Sequence, residues 1–242
     1  MNVCIKIFRH DPASDEQGRF VEYDVPFEEG MSVLDAVNYV SNYIDTSLSV
    51  RWNCKAARCG SCAAEIDNIP KLMCKTKITS DSVTVGPMRA FPLVKDLVTD
   101  ITSNYDKLRS IKPFTPGKAQ SGVWRMNEDD VVRSQEFRKC IECYLCMDVC
   151  HVMRLHNTNY VGPRHVIKAA SIDMHPLDSL DRSVELKEKH GLGYCNVTKC
   201  CQDVCPEKIQ ITDNAIIPEK ERAADAIYDP IIRLIRKIRG VK

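Results

Sequence analysis

An α+β fold is predicted for this chain of 242 residues: a small sheet crossed by a helix in the first part, then short helices joined by loops. Two observations carry that expectation. Apolar residues alternate with polar ones at Val3, Ile5 and Ile7 and again at Val21, Tyr23 and Val25, the period of half-buried strands, whereas past Gly86-Pro87 they recur at helical spacing. Eleven of the thirteen cysteines fall into three clusters, and the two later ones break the second half into loops between short helices.

In chain order, strands near 3–7 and 21–25 come first. Ser32 with Asp35 three residues on has the pattern of a capping box, and Leu34, Val37, Val40 and Ile44 follow at helical spacing. Strands near 63–66 and 83–85 complete the sheet. Leu93, Leu97, Ile101 and Tyr105 form one helical stripe before the breakers Pro113, Pro116 and Gly117. The domain boundary falls between these breakers and Gly86-Pro87, giving units 1–105 and 106–242. In the second unit Pro163 suits a first helical position before Ile167 and Ala170, and Gly191 suits the stop of a helix through Leu180, Val184 and Lys187. Asp229-Pro230 opens the last helix, which sets Ile231, Leu234, Ile235 and Ile238 against Arg233, Arg236, Lys237 and Arg239, with no acid from Ile231 to Lys242. Such a helix suits phospholipid head groups or a membrane subunit; it equally suits packing on its own domain with a solvated basic face.

Composition excludes several classes. Lys and Arg number 34 against 33 acids, a net charge of +1 that leaves no nucleic-acid footprint. A high and odd thiol count argues for metal sites in a reducing compartment, not a disulfide framework. The opening MNVCIKIFRHDP lacks the apolar core and cleavage site of a signal peptide, and no stretch approaches the run of about 18 apolar residues that spans a bilayer.

The cysteines carry the chemistry. Cys54, Cys59 and Cys62 stand as C-x4-C-x2-C with Cys74 following, the plant-type spacing for a [2Fe–2S] cluster. Thiolates are soft donors for iron, and the small residues Ala56, Ala57, Gly60, Ser61, Ala63 and Ala64 let the backbone wrap closely and aim N–H groups at sulfur. Cys140, Cys143, Cys146 and Cys150 form C-x2-C-x2-C-x3-C, and Cys195, Cys201 and Cys205 repeat it with Thr198 in one cysteine's place. In two-cluster ferredoxins the fourth cysteine of each run ligates the other run's cluster. Cys140, Cys143, Cys146 and Cys205 are therefore expected to hold a [4Fe–4S] cluster, and Cys150, Cys195 and Cys201 a [3Fe–4S] cluster. Cys200, beside Cys201, is the rival fourth ligand and breaks the repeat register. Cys4 lies in a strand pattern as a buried small hydrophobe.

These stretches, with CKAARCGSCAAEIDNIPKLMC, FPLVKDLVTDITSNYDKLRSIKPF, CIECYLCMDVC followed by NYVGP, and CNVTKCCQDVCPEKI, resemble the iron–sulfur subunit of succinate dehydrogenase or fumarate reductase over nearly the whole chain. The resemblance implies an N-terminal β-grasp ferredoxin domain and an all-α helical ferredoxin domain. It implies an oxidoreductase partnership too: a flavoprotein subunit holding FAD, membrane-anchor subunits presenting a quinone, and a place on the cytoplasmic face of a bacterial or archaeal membrane. The clusters would run [2Fe–2S], [4Fe–4S], [3Fe–4S] from flavin to quinone. The dicarboxylate would bind the flavoprotein, so this chain is expected to supply no catalytic residue.

Ubiquinone-linked members of that family usually place Pro after the cysteine at 150, tryptophans shortly beyond, and His after the cysteine at 195. Here His151, Arg154, Leu155 and Asn196 stand there, which favours menaquinone or a quinone site built mainly by the anchor. His151, Leu155 and Asn196 mark the expected quinone vicinity; a histidine at 151 suits a proton relay, or it is a plain packing histidine. His156, His165, His175 and His190 form no pattern. Two rivals remain: the subunit of another flavin-dependent oxidoreductase, such as a thiol-linked fumarate reductase with further Cys-rich repeats, and a structural zinc protein.

Overall fold

The computed structural model describes residues 2–117, 124–155 and 159–239, so His156 lies outside the described residues. Its first half holds β1 (Asn2–Arg9), β2 (Arg19–Pro26), α1 (Val33–Tyr39), β3 (Ala63–Ile66), β4 (Ile69–Leu72) and β5 (Ser82–Gly86). The strands form one mixed sheet in the order β2-β1-β5-β3-β4, in which β1 runs parallel to β5 and every other pair is antiparallel. Parallel neighbours need a long crossover, and the chain between them carries α1 over the sheet. Ser32 caps α1 as expected: its Oγ accepts from the Asp35 N–H at 3.3 Å while the Asp35 carboxylate accepts from the Ser32 N–H at 3.0 Å. The buried face of α1, Val33, Leu34, Ala36 and Val37, shares a core with Val3, Ile5, Ile7, Val25 and Val85.

Two residues of this half stand elsewhere than expected. Ile44 is exposed, because the chain widens into a π-helical turn at Val40–Ile44 and the helical stripe rotates off the core after Val40. Cys4 points from the opposite face of β1 to Val3 and Ile5 and is half-buried beside Lys6, Glu22 and Asp24, since strand side chains alternate.

The stripe from Leu93 to Tyr105 is not one helix. It folds as a hairpin, β6 (Leu93–Lys95) and β7 (Val98–Thr99), and only then as α2 (Ser103–Ser110). Asp96 forces the break. Its backbone is left-handed (φ 47°), and its buried carboxylate accepts from Arg9 Nε at 2.9 Å, the His10 N–H at 3.0 Å and the Ser49 N–H at 2.8 Å, pinning the hairpin to the end of β1.

The second half is helical: α3 (Glu128–Gln135), α4 (Leu145–Asp148), α5 (His151–Arg154), α6 (Pro163–Asp173), α7 (Ser183–Glu188), α8 (Cys200–Asp203), α9 (Ile217–Tyr228) and α10 (Pro230–Arg239). Pro163 opens α6 as expected. Gly191 follows α7 by three residues and starts a short 3-10 turn, Leu192–Tyr194, while Leu180 precedes the helix instead of lying in it. The side chain of Asp181 accepts from the Ser183 N–H and hydroxyl, and α7 begins there. The buried Arg182 donates to the carbonyls of Lys112 and Pro113 at 2.7 and 2.5 Å and pairs with Asp173 and Asp178, fastening the strap after α2 to the helical half.

Candidate metal centres

The first cysteine loop lies between α1 and β3, against the end of the sheet. Lys55 and Ala57 take left-handed backbone (φ 54° each), and the turn this makes aims the N–H groups of Ala56 and Arg58 at Cys54 Sγ, at 3.4 and 3.3 Å. Cys54 hydrogen-bonds Cys59, and Cys62 lies against Cys74 and Cys59, so four thiols converge at a rim where Arg51, Trp52, Lys55 and Arg58 are exposed.

The later two loops are copies of one backbone. Glu142 and Tyr144 have positive φ, as do Val197 and Lys199; each pair is offset by 55 residues, like Cys140 and Cys195 or the starts of α4 and α8. In the shared frame Thr198 occupies the place of Cys143. Cys205 lines one apolar cavity with Cys140, Cys143 and Cys146, together with Ile167, Ile209 and Ile211. Cys150, Cys195 and Cys201 are electrostatic neighbours of one another in a separate set. Cys200 stands near Cys150 and Cys201, with its Sγ 3.3 Å from Thr198 Oγ1.

The three sets follow one another through the molecule. Gly60 (φ 70°) of the first loop packs so closely on the second that a Cβ there would meet Cys143 Cα at 2.7 Å, and Cys146 of the second set is a neighbour of Cys201 in the third. Between the two halves Glu65 accepts from Arg154 at 2.6 Å and the Asp148 carboxylate accepts from the Ala90 N–H at 3.0 Å, while Arg89, on the same side of the seam as Glu65, donates to it at 2.8 Å.

Electrostatics suit metal loading. Burial pushes the thiols of Cys62, Cys143 and Cys201 up to about 12 and raises that of Cys146 well above its ordinary value, so without metal they stay protonated and iron must displace those protons. Cys59 runs the other way: burial raises it, but hydrogen bonds from Ser61 and Cys54 outweigh that and hold it at about 6. The donor chemistry fits iron–sulfur clusters, and so do the polar atoms around it. The Tyr160 hydroxyl is fully buried against Cys195, Cys150 and Cys201 with no well-formed hydrogen bond among the described residues, and Thr212 Oγ1 lies 3.5 Å from Cys201 Sγ. Both are placed to donate to a bound cluster. Neither has a sequence signal beyond Tyr160 lying in the NYVGP stretch. The buried Arg164, after Pro163, faces Cys140 and Cys146 as a counter-charge. His151 opens α5 half-buried, Leu155 ends it at 79% exposure, and Asn196 is exposed; all three flank the third set.

Residues 4–106 match the family described as a 2Fe-2S iron-sulfur cluster binding domain, and residues 136–209 a 4Fe-4S dicluster domain. The fold and thiol sets thus define an iron–sulfur electron carrier. The chain is 31% identical over 215 residues to the fumarate reductase iron-sulfur subunit of Escherichia coli O6:H1, covering 86% of this chain and 88% of that one. It is 30% identical over 216 residues to the corresponding Mycobacterium tuberculosis subunit, covering 86% and 87%. A solved structure titled Mycobacterium smegmatis Sdh1 complex in the apo form matches with a TM-score of 0.89 at 50% identity, over 95% of this chain and 98% of that chain. This chain belongs to the family of iron–sulfur subunits of fumarate reductase and succinate dehydrogenase, electron-transfer subunits of oxidoreductase complexes.

Proposed function

We propose that the chain passes electrons singly between the FAD of a flavoprotein subunit and a membrane quinone held by anchor subunits on the cytoplasmic face of the membrane. Cys54, Cys59, Cys62 and Cys74 hold a [2Fe–2S] cluster; Cys140, Cys143, Cys146 and Cys205 a [4Fe–4S] cluster; Cys150, Cys195 and Cys201 a [3Fe–4S] cluster. The unit bearing the first cluster ends near residue 105. Bound clusters supply one-electron redox steps between a two-electron donor and a quinone. The chain's residues set potential and position: N–H groups of Ala56 and Arg58 point at Cys54, Arg164 offsets charge beside Cys140 and Cys146, and the Tyr160 and Thr212 hydroxyls face the third set. The serial order of the three thiol sets, Gly60 against Cys143 and Cys146 near Cys201, carries this reading. With the first set at an exposed basic rim and the third beside exposed Leu155 and Asn196, the two ends suit two different partners. His151 and Asn196 in place of the ubiquinone-type residues favour menaquinone.

Iron analysis of the loaded protein should give about nine irons with matching sulfide, two plus four plus three. A value near four, or stoichiometric zinc, sinks the three-cluster reading. Reconstituted complex should turn over faster with a naphthoquinone than with a ubiquinone analogue; the reverse order counts against the menaquinone assignment alone.

A further inference from the structure

Among the described residues the last helix is an outlier. α10 carries Ile231, Leu234, Ile235 and Ile238 at exposures of 68, 58, 42 and 76%, although at helical spacing they lie on one side. The alternative of packing on its own domain is thereby removed: its apolar side faces outward. Its sequence is also charged with one sign. Arg233, Arg236, Lys237 and Arg239 interleave with the aliphatics, Lys242 follows, and no acid occurs from Ile231 onward. The longer helices α3, α6, α7 and α9 of the second half mix signs, as in Glu128, Asp129, Asp130 and Arg133 of α3 or Glu219, Lys220, Glu221 and Arg222 of α9.

We infer that α10 is an interfacial helix that binds anionic phospholipid, its aliphatic side in the boundary between head groups and acyl chains and its basic residues at the phosphates. A helix of ten residues is about 15 Å long, too short to span a bilayer and long enough to lie along one. The charge complementarity selects an acidic lipid surface over a protein groove, because apolar docking alone gives no reason for five cations without an acid. Placement agrees. Lys220 of α9 donates to the carbonyl of Cys195 at 2.5 Å, and α9 leads into α10 through the single extended residue Asp229, so the helix is coupled to the third thiol set. Bound to lipid, α10 would fix how close that set stands to the membrane plane without help from an anchor. The inference rests on the proposed service to a membrane quinone and deepens it.

The test is flotation of the full, iron-loaded chain with vesicles of phosphatidylcholine alone or containing phosphatidylglycerol. Binding should be at least tenfold stronger to the acidic vesicles and be lost at high salt. Because each basic residue near an anionic surface contributes roughly fivefold, the combined variant Arg233→Gln, Arg236→Gln, Lys237→Gln and Arg239→Gln should bind at least about fiftyfold more weakly. Ile231→Asp with Ile238→Asp should abolish binding to both, with iron content unchanged as the check on folding. Equal binding to neutral vesicles, no flotation of the native chain, or flotation only with anchor subunits present would each overturn the inference. Since cluster signals and quinone reduction in the reconstituted complex are measured separately, failure of α10 and failure of the proposed electron path are told apart.

Discussion

Under the proposed ligand assignment, Thr198 is the position where one side chain would decide the cofactor. In the backbone shared by the two later loops it stands where Cys143 stands in the other copy, so Thr198→Cys should supply a fourth thiolate to the third set. The oxidised-state paramagnetic signal of a three-iron centre should give way to a reducible four-iron one at lower potential, because an added thiolate adds negative charge; electron paramagnetic resonance during a redox titration reads both. Cys200 is the control. It lies within 3.3 Å of Thr198 Oγ1 and near Cys150 and Cys201, so its neighbourhood alone does not separate ligand from bystander, whereas the repeat register does. Cys200→Ala should leave all three cluster signals in place, and loss of the third would show that the register assigns the ligands wrongly. The thiol sets and the 55-residue repeat were legible from sequence, since cysteine spacing is a local property and a repeat compares positions by counting. The hydroxyls of Tyr160 and Thr212 were not, because nothing local to either residue says which sulfur the fold will bring against it.

At the scale of elements, α6, α7 and α9 meet over an acidic cluster whose balance depends on pH. Glu219 of α9 is fully buried and lies near Asp173 of α6 and Asp181 before α7, with Arg222 and Arg182 as the cations. Burial first, then Asp173 and Asp181, raise Glu219 to about 8 against the pull of Arg222, and burial raises Asp173 as well. A carboxyl raised in the folded state binds its proton more tightly there than when unfolded. Its contribution is full below the unfolded value near 4.5 and is lost as pH climbs through about 8. Glu219→Gln should therefore be close to neutral at pH 5 and stabilising by on the order of 1–2 kcal/mol at pH 8.5. Thermal unfolding across that range, with cluster absorbance as the probe, tests it: a variant less stable at pH 8.5 than at pH 5 relative to the native chain contradicts the sign. Arg182→Leu should cost about 3–5 kcal/mol, since it leaves Asp178 buried without its cation and Asp173 with only the more distant Arg222, and frees the strap at Lys112 and Pro113; denaturant unfolding gives the number. Element boundaries were readable where a local cap made them, as at Ser32 or Pro163. They were not where a distant group did: the hairpin at Leu93–Thr99 exists because Asp96 meets Arg9, His10 and Ser49, residues at least 47 positions away, and no apolar periodicity records that.

Across the whole molecule, the seam between the halves is also the gap that electrons would cross on the proposed path. Gly60 has left-handed backbone, and the space its side chain would fill is already taken by Cys143. Gly60→Val should separate the first two thiol sets, so that rapid-freeze spectroscopy after a flavin-side pulse shows the first cluster reduced and the second filling at least tenfold more slowly, with iron content retained. Unchanged transfer would mean that the close approach at Gly60 does not set the path. Glu65, with Arg89 on it, meets Arg154 across the same seam, and Asp148 meets Ala90 there, a constellation drawn from three separate stretches and so invisible to any single motif.

The 55-residue offset between the copied loops has a consequence in time. Under the crossed assignment each loop keeps its earlier thiols for its own set and lends the last, Cys150 or Cys205, to the other, so neither centre is complete until both loops exist. A ribosome adding about 5–20 residues per second leaves roughly three to eleven seconds between the synthesis of Cys150 and that of Cys205. During that interval Cys140, Cys143 and Cys146 are a half-built receptacle open to stray metal and to oxidation. On that assignment, delivery of iron and sulfide to the second and third centres would wait for translation of the second loop, while the first centre, whose four thiols are complete by Cys74, would be free to be furnished earlier.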